Sequence, residues 1–213
     1  MAERLIVLFG AGSCGFARAR ALFAAQAQRV AVVETSANWT GSLATVVYEC
    51  RQATREAGSE GVPVVMGSPL LQYVEPLARL NAAVDFVCLS RYPLADCAAA
   101  ITEGFAGRPN PFVETVETFK GADAVAARYP KFARTRELEL MVKDYVSGYH
   151  NAAMSLRDVM PSRVTMFQSL NLLTVGGVRE FLKTCGLRVA ADSVLSLKGD
   201  GGDHDNDSPK LDA

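Results

Sequence analysis

The sequence predicts an α/β fold, a parallel β-sheet flanked by helices on both faces, and three observations carry that prediction. An unbroken apolar stretch, Leu5-Ile6-Val7-Leu8-Phe9, runs through Gly10-Ala11-Gly12-Ser13-Cys14-Gly15 into an alanine-rich stretch of helical spacing that begins near Phe16. Strand, glycine turn and helix in that order open a βαβ unit, and a second strand from Arg29 to Val33, ending at Glu34, continues it. Val84 to Leu89 is almost continuously apolar, which suits a parallel strand covered on both faces.

The remaining elements follow in order. The first helix is expected to run to about Gln28. Leu43 to Ala57 is compatible with a helix, stopped by Ala57-Gly58-Ser59-Glu60-Gly61. Val62 to Met66 is a short strand closed by Gly67-Ser68-Pro69, and Leu70 to Leu80 is a helix. Leu94 to about Thr102 is helical, and Gly107-Arg108-Pro109-Asn110-Pro111 is a loop. Glu137 to Val159 is the longest helical pattern, with Leu140, Val142, Tyr145, Tyr149, Ala152, Ala153 and Leu156 at three-to-four spacing and Pro161 as its end. Arg163 to Phe167 is a strand, Val175 to Thr184 a helix stopped by Gly186, and Leu187 to Val194 a last extended element.

Length and charge bound the rest. A chain of 213 residues, 49% of them hydrophobic, buries a core in one domain, expected over residues 1–197. The acidic tail 198–213 lacks the apolar content to join it and is expected to be disordered. A net charge of −1 supplies no basic footprint for a nucleic-acid backbone, so no nucleic-acid partner is expected. No apolar run reaches the roughly 18 residues of a membrane span, and Ala2-Glu3-Arg4 leads directly into the first strand without a secretory pattern. A cytoplasmic protein with no membrane partner is expected, a homodimer being left open. Cys14, Cys50, Cys88, Cys97 and Cys185 are odd in number and lack C-x-x-C spacing, and read as small buried hydrophobes.

Chemistry concentrates at the glycine turn. Glycines let the backbone approach a ligand, and the N–H groups and positive dipole end of the following helix face negative charge. Gly10, Gly12, Ser13, Cys14, Gly15 and Phe16 are therefore candidates for holding the phosphate of a nucleotide cofactor. The hexapeptide satisfies two patterns. As G-x-G-x-x-G it is a dinucleotide fingerprint, with Glu34 about 20 residues on to meet ribose hydroxyls; as G-x-x-x-x-G it is a P-loop frame with Phe16 in place of lysine.

Further along, Asp85-Phe86-Val87-Cys88-Leu89-Ser90-Arg91-Tyr92-Pro93, the turn Gly67-Ser68-Pro69, Met160-Pro161-Ser162-Arg163-Val164 and Glu180-Phe181-Leu182-Lys183-Thr184-Cys185-Gly186-Leu187 together resemble the bacterial-type sulfotransferases that use 3′-phosphoadenosine 5′-phosphosulfate (PAPS). The resemblance spans about Arg4 to Val189. It implies a P-loop-NTPase-like sulfotransferase architecture and a small-molecule or glycan acceptor. It further implies that the amides of Gly12 to Phe16 with the Ser13 hydroxyl hold the 5′-phosphosulfate, that Arg91 holds the 3′-phosphate, and that Glu34 is a catalytic glutamate. Ser68 stands as a catalytic candidate, with a helix cap as its alternative, and Arg91 has an ion pair with Asp96 as its alternative. His150 is an ordinary half-exposed histidine or a general base, and Trp39 a packing residue or part of an acceptor pocket. Acceptor contacts are expected in the loops Asn38 to Thr45 and Gly104 to Thr118.

The chain departs from that family's pattern at Ser13, where arginine or lysine is usual, at Gly67, where lysine is, and at Ala99, where serine is common. Either other cations, such as Arg18 or Arg20 one helical turn in, replace the two lost cationic contacts, or the fold is kept while donor binding is weakened or gone. Two alternatives stay open: an NAD(P)-binding protein, supported by the fingerprint and by a likeness of Gly61 to Leu89 to the nucleotide-binding regulatory domains of potassium-transport systems, and an inactive sulfotransferase-fold binding protein.

Overall fold

Five strands, β1 (Leu5–Gly10), β2 (Val30–Glu34), β3 (Val62–Met66), β4 (Val84–Ser90) and β5 (Val164–Gln168), form one sheet in the order β2-β3-β1-β4-β5. Every pairing is parallel. The computed structural model describes residues 4–36, 42–105 and 137–187. The loop at 107–111, Trp39, half of the first acceptor loop and most of the second, the extended element beyond Leu187 and the tail lie outside them.

Six described α-helices surround the sheet: α1 (Phe16–Ala24), α2 (Leu43–Ala57), α3 (Val74–Leu80), α4 (Leu94–Gly104), α5 (Leu138–Val159) and α6 (Val175–Thr184). Alternation along β1 decides which face each covers. Val7 and Phe9 pack into a core with α2, α3, α4 and α5, whereas Ile6 and Leu8 pack against α1 and α6. All six residues of β1 are buried, as a strand central to a doubly covered sheet must be. Each large side chain fully buried there contributes about 1.5–3 kcal/mol relative to exposure.

Two boundaries differ from the sequence expectation by about four residues. The first helix ends at Ala24, not near Gln28. The Gln26 side-chain amide donates to the Leu22 carbonyl at 2.7 Å, and the Gln26 N–H turns back to Phe23 at 3.2 Å, closing the ladder. The helix expected from Leu70 begins as a 3₁₀ turn over Ser68–Tyr73 and becomes α-helical at Val74. Pro69 supplies no N–H, and Leu70 bonds Gly67 three residues back. A second 3₁₀ turn, Ser169–Leu173, follows β5.

At the amino edge of the sheet Arg163 donates to the carbonyls of Ala78 (2.9 Å), Asn81 (2.7 Å) and Val84 (2.9 Å), tying the end of α3 and the start of β4 to β5. Its guanidinium also lies over the Phe86 ring, 5.5 Å from the centroid. The proline-x-arginine-valine segment is thus a structural clamp, at the far edge from the glycine turn.

Candidate functional site

Parallel strands bring all their carboxyl ends to one edge, so Gly10, Glu34, Met66, Ser90 and Gln168 share it. β1 sends its chain to α1 on one face, while its neighbours β3 and β4 send theirs to α3 and α4 on the other. A crevice outside the strand ends, where neighbouring connections diverge, is the usual ligand position in open α/β sheets. The glycine turn occupies its centre, with Ser68 on one side and Arg91 on the other.

The turn is built for close approach. A Cβ on Gly10 would lie 2.3 Å from Cys14 Sγ and 2.7 Å from the Leu89 carbonyl, so only glycine lets β1 pass into the turn. Gly12 has φ of 92°, Ser13 of 44° and Gly15, the N-cap of α1, of 92°. For Ser13 this left-handed conformation carries a cost that glycine avoids. Cys14 and Phe16 are buried, with Cys14 against the turn and Phe16 in the core on the α1 face. Their side chains therefore serve packing, and what they can offer a ligand is backbone.

No side chain caps α1, and no acidic residue lies in its first turn. The other described α-helices have one or the other: Ser42 caps α2, Thr174 caps α6, and Glu75, Asp96 and Glu139 lie in the first turns of α3, α4 and α5. The positive end of α1 is thus left without a negative side chain in its own first turn.

Arg91 lies against this turn, its Nη1 donating to the Ser13 carbonyl at 3.3 Å, and its buried Nε has no partner. No ion pair joins it to Asp96 among the described residues. Cys97 Sγ donates to the Gly12 carbonyl at 3.6 Å. Burial pushes that thiol up to about 11 against the opposing charge of Arg91, so it stays protonated. Ser68 is buried and caps nothing, since the 3₁₀ turn starts from Gly67 without a side-chain bond.

Glu34 is placed differently from the loop residues. It is ion-paired with Arg20 of α1 and half exposed. It stands beside Met66 of β3, two strand spacings, about 10 Å, from β1. Arg20 is therefore committed to a carboxylate, whereas Arg18 has no ion pair among the described residues and its Nε is buried without a partner.

Two features were not read from the sequence. Glu49, buried in α2, accepts from Thr35 Oγ1 (2.6 Å), Ser36 N (2.7 Å) and Ser36 Oγ (2.7 Å), fixing the chain as it leaves β2. Its signal was a carboxylate in register with Val46 and Ala53 on the apolar stripe of α2. Tyr92 bonds His150 Nε2 through its hydroxyl, with rings perpendicular at 5.1 Å. Its backbone N–H donates to Gln168 Oε1 at 3.2 Å. Burial, helped by the charge of Arg157, lowers His150, so the imidazole is neutral at pH 7. No local pattern announces contacts between residues so far apart in the chain.

Between the turn, the end of β4 and α5 lies a cleft lined by Ala11, Cys14, Ser90, Arg91, Tyr149 and His150, with about 10 Å³ free, room for about one water. An open groove of about 500 Å³ beside Arg157, Pro161 and Thr165 shares no residue with the turn. The described residues include no group of three or more His, Cys, Asp or Glu side chains able to hold a metal ion, and no helix among them is long and apolar enough to cross a membrane. No family model matches this chain, and no curated protein does.

Proposed function

We propose that this chain is a sulfotransferase-like nucleotide-binding protein that holds PAPS over the glycine turn and transfers its sulfuryl group to a hydroxyl or amine of a small-molecule or glycan acceptor. The observation that carries this is the start of α1. Alone among the described α-helices it has neither a capping side chain nor an acidic residue in its first turn, and it follows a glycine turn with Arg91 beside it. Such a helix start favours an anion.

The backbone N–H groups from Gly12 to Phe16 and the Ser13 hydroxyl would bind the 5′-phosphosulfate, and the Arg91 guanidinium a second phosphate. The acceptor oxygen or nitrogen attacks sulfur, the bond from sulfur to the bridging phosphate oxygen breaks, and 3′,5′-adenosine bisphosphate leaves. Little covalent help is needed, so orientation and charge stabilisation do most of the work. For Glu34 to accept the acceptor's proton, the acceptor must reach across β3 from the turn. Arg18 takes the part of the absent loop cation, since Arg20 is bound to Glu34.

The strand order weighs against the dinucleotide alternative. In the dinucleotide fold β2 lies next to β1, which lets the acid at the end of β2 reach the ribose of a nucleotide on the β1 turn. Here β3 stands between them.

Thermal-shift titration with 3′,5′-adenosine bisphosphate, NAD and NADP tests the proposal. A ligand at a hundredfold over its Kd adds about 2.7 kcal/mol to native stability. The bisphosphate is expected to raise the Tm, Arg91→Ala to weaken its binding about 10–100-fold through a lost charge-assisted bond, and Glu34→Gln to leave binding intact while removing turnover. A shift with NAD or NADP alone, or with none of the three, would overturn the proposal.

A further inference from the structure

We propose that Tyr145 and Tyr149 are positioning residues that lock the Ser68 turn beneath the glycine turn, so that the anion site is one unit built from β1, β3 and α5. The inference rests on the nucleotide-binding function proposed above. The two tyrosines stand one helical turn apart on α5 and are 2% and 1% exposed. Their rings meet edge to face at 5.8 Å. The Tyr149 hydroxyl donates to the Ser68 carbonyl at 2.9 Å, and the Tyr145 hydroxyl is hydrogen-bonded to the Ser68 side chain. The Tyr149 ring lies 6.4 Å from that of Phe9, just before the glycine turn. Ser68 Oγ in turn sits 3.9 Å from where a Cβ on Gly12 would be.

Packing alone does not account for this arrangement. Phenylalanine would fill nearly the same volume without a polar group to satisfy, whereas each buried hydroxyl is costly unless bonded. Both hydroxyls are bonded to one residue, and that residue is a buried serine that caps no helix. Burial raises both phenols well above their ordinary range, so they remain protonated throughout the physiological range. Ser68 is thereby held, backbone and side chain, on the side of the turn opposite Arg91. There its hydroxyl supplies a donor to an anion that the loop itself, with Ser13 in place of a cation, meets with no charged side chain.

The test is a double-mutant cycle on the full chain, reading the Kd of 3′,5′-adenosine bisphosphate by calorimetry. Tyr145→Phe and Ser68→Ala are each expected to weaken binding about tenfold, and the double variant no more than either alone, because Tyr145 acts through Ser68. Multiplying losses would make Tyr145 a structural residue and overturn the inference. Tyr149→Phe supplies a readout that needs no ligand. Exchange of the Leu70 amide, bonded to Gly67, is expected to accelerate at least tenfold relative to amides of α2. If the wild type does not bind the bisphosphate, the functional proposal fails while exchange still decides the clamp: acceleration confined to the turn supports it, and unchanged or uniformly raised exchange overturns it.

Discussion

Within the glycine turn, neighbouring residues answer to different constraints, and substitutions separate them. Gly10 is fixed by space: a Cβ there would press on Cys14 Sγ and the Leu89 carbonyl. Gly10→Ala is expected to lower stability by about 1–3 kcal/mol, the usual range for overpacking, measured as a fall in the urea midpoint at constant slope. Ser13 is constrained by its backbone, with φ at 44°. Ser13→Gly relieves that conformation but adds freedom to the unfolded chain, and is expected to leave stability within about 1 kcal/mol while weakening bisphosphate binding by loss of the hydroxyl. The pattern G-x-G-x-x-G made both positions visible in sequence. It carried no sign that the Ser13 carbonyl would be held by a residue of the β4 turn, because that contact depends on which strand lies beside β1.

The elements were legible because each buried strand is an apolar run punctuated by glycine or proline, and each helix carries a stripe of matching period. Val62–Met66, Leu43–Ala57 and Val175–Thr184 begin and end where those signals place them. Less legible was where an element's polar residues go. Glu34 ends its strand as expected, yet its partner is Arg20, settled by the way α1 turns across the sheet. Arg163 shows the same at the opposite edge, where one guanidinium bonds three carbonyls from α3 to β4. Arg163→Lys keeps the charge but loses the planar fork of donors. It is expected to cost about 1–3 kcal/mol on denaturant unfolding, in line with loss of charge-assisted bonds. Bisphosphate affinity should not change, since the clamp lies at the edge away from the turn; a parallel loss of affinity would mean that the two edges are coupled.

Across the whole molecule, all five cysteines are buried and none is in a disulfide. Burial pushes the thiols of Cys50 and Cys97 up to about 11 and that of Cys185 up to about 12. At pH 8 a thiol near 11 is ionised to about one part in a thousand, and the thiolate is the reactive form. The native protein is expected to resist alkylation over minutes at pH 8 and to take up five labels once unfolded in urea; rapid labelling of the native protein at Cys97 would show that the glycine turn opens. The α/β class could be read from the chain, but the order β2-β3-β1-β4-β5 could not, because periodicity says what a strand buries and nothing of which strand lies beside it. That order has a consequence for biosynthesis. β1 is made before both of its neighbours, β3 and β4, so it has no partner until residue 66 has been synthesised and lacks its second until residue 90, and the tyrosines that reach Ser68, at 145 and 149, come later still. Pairing so distant in sequence carries a high loop-closure cost and is slow. The proposed anion site thus comes together only after most of these residues have been made, and nucleotide bound there would report that the sheet has been assembled in its native order.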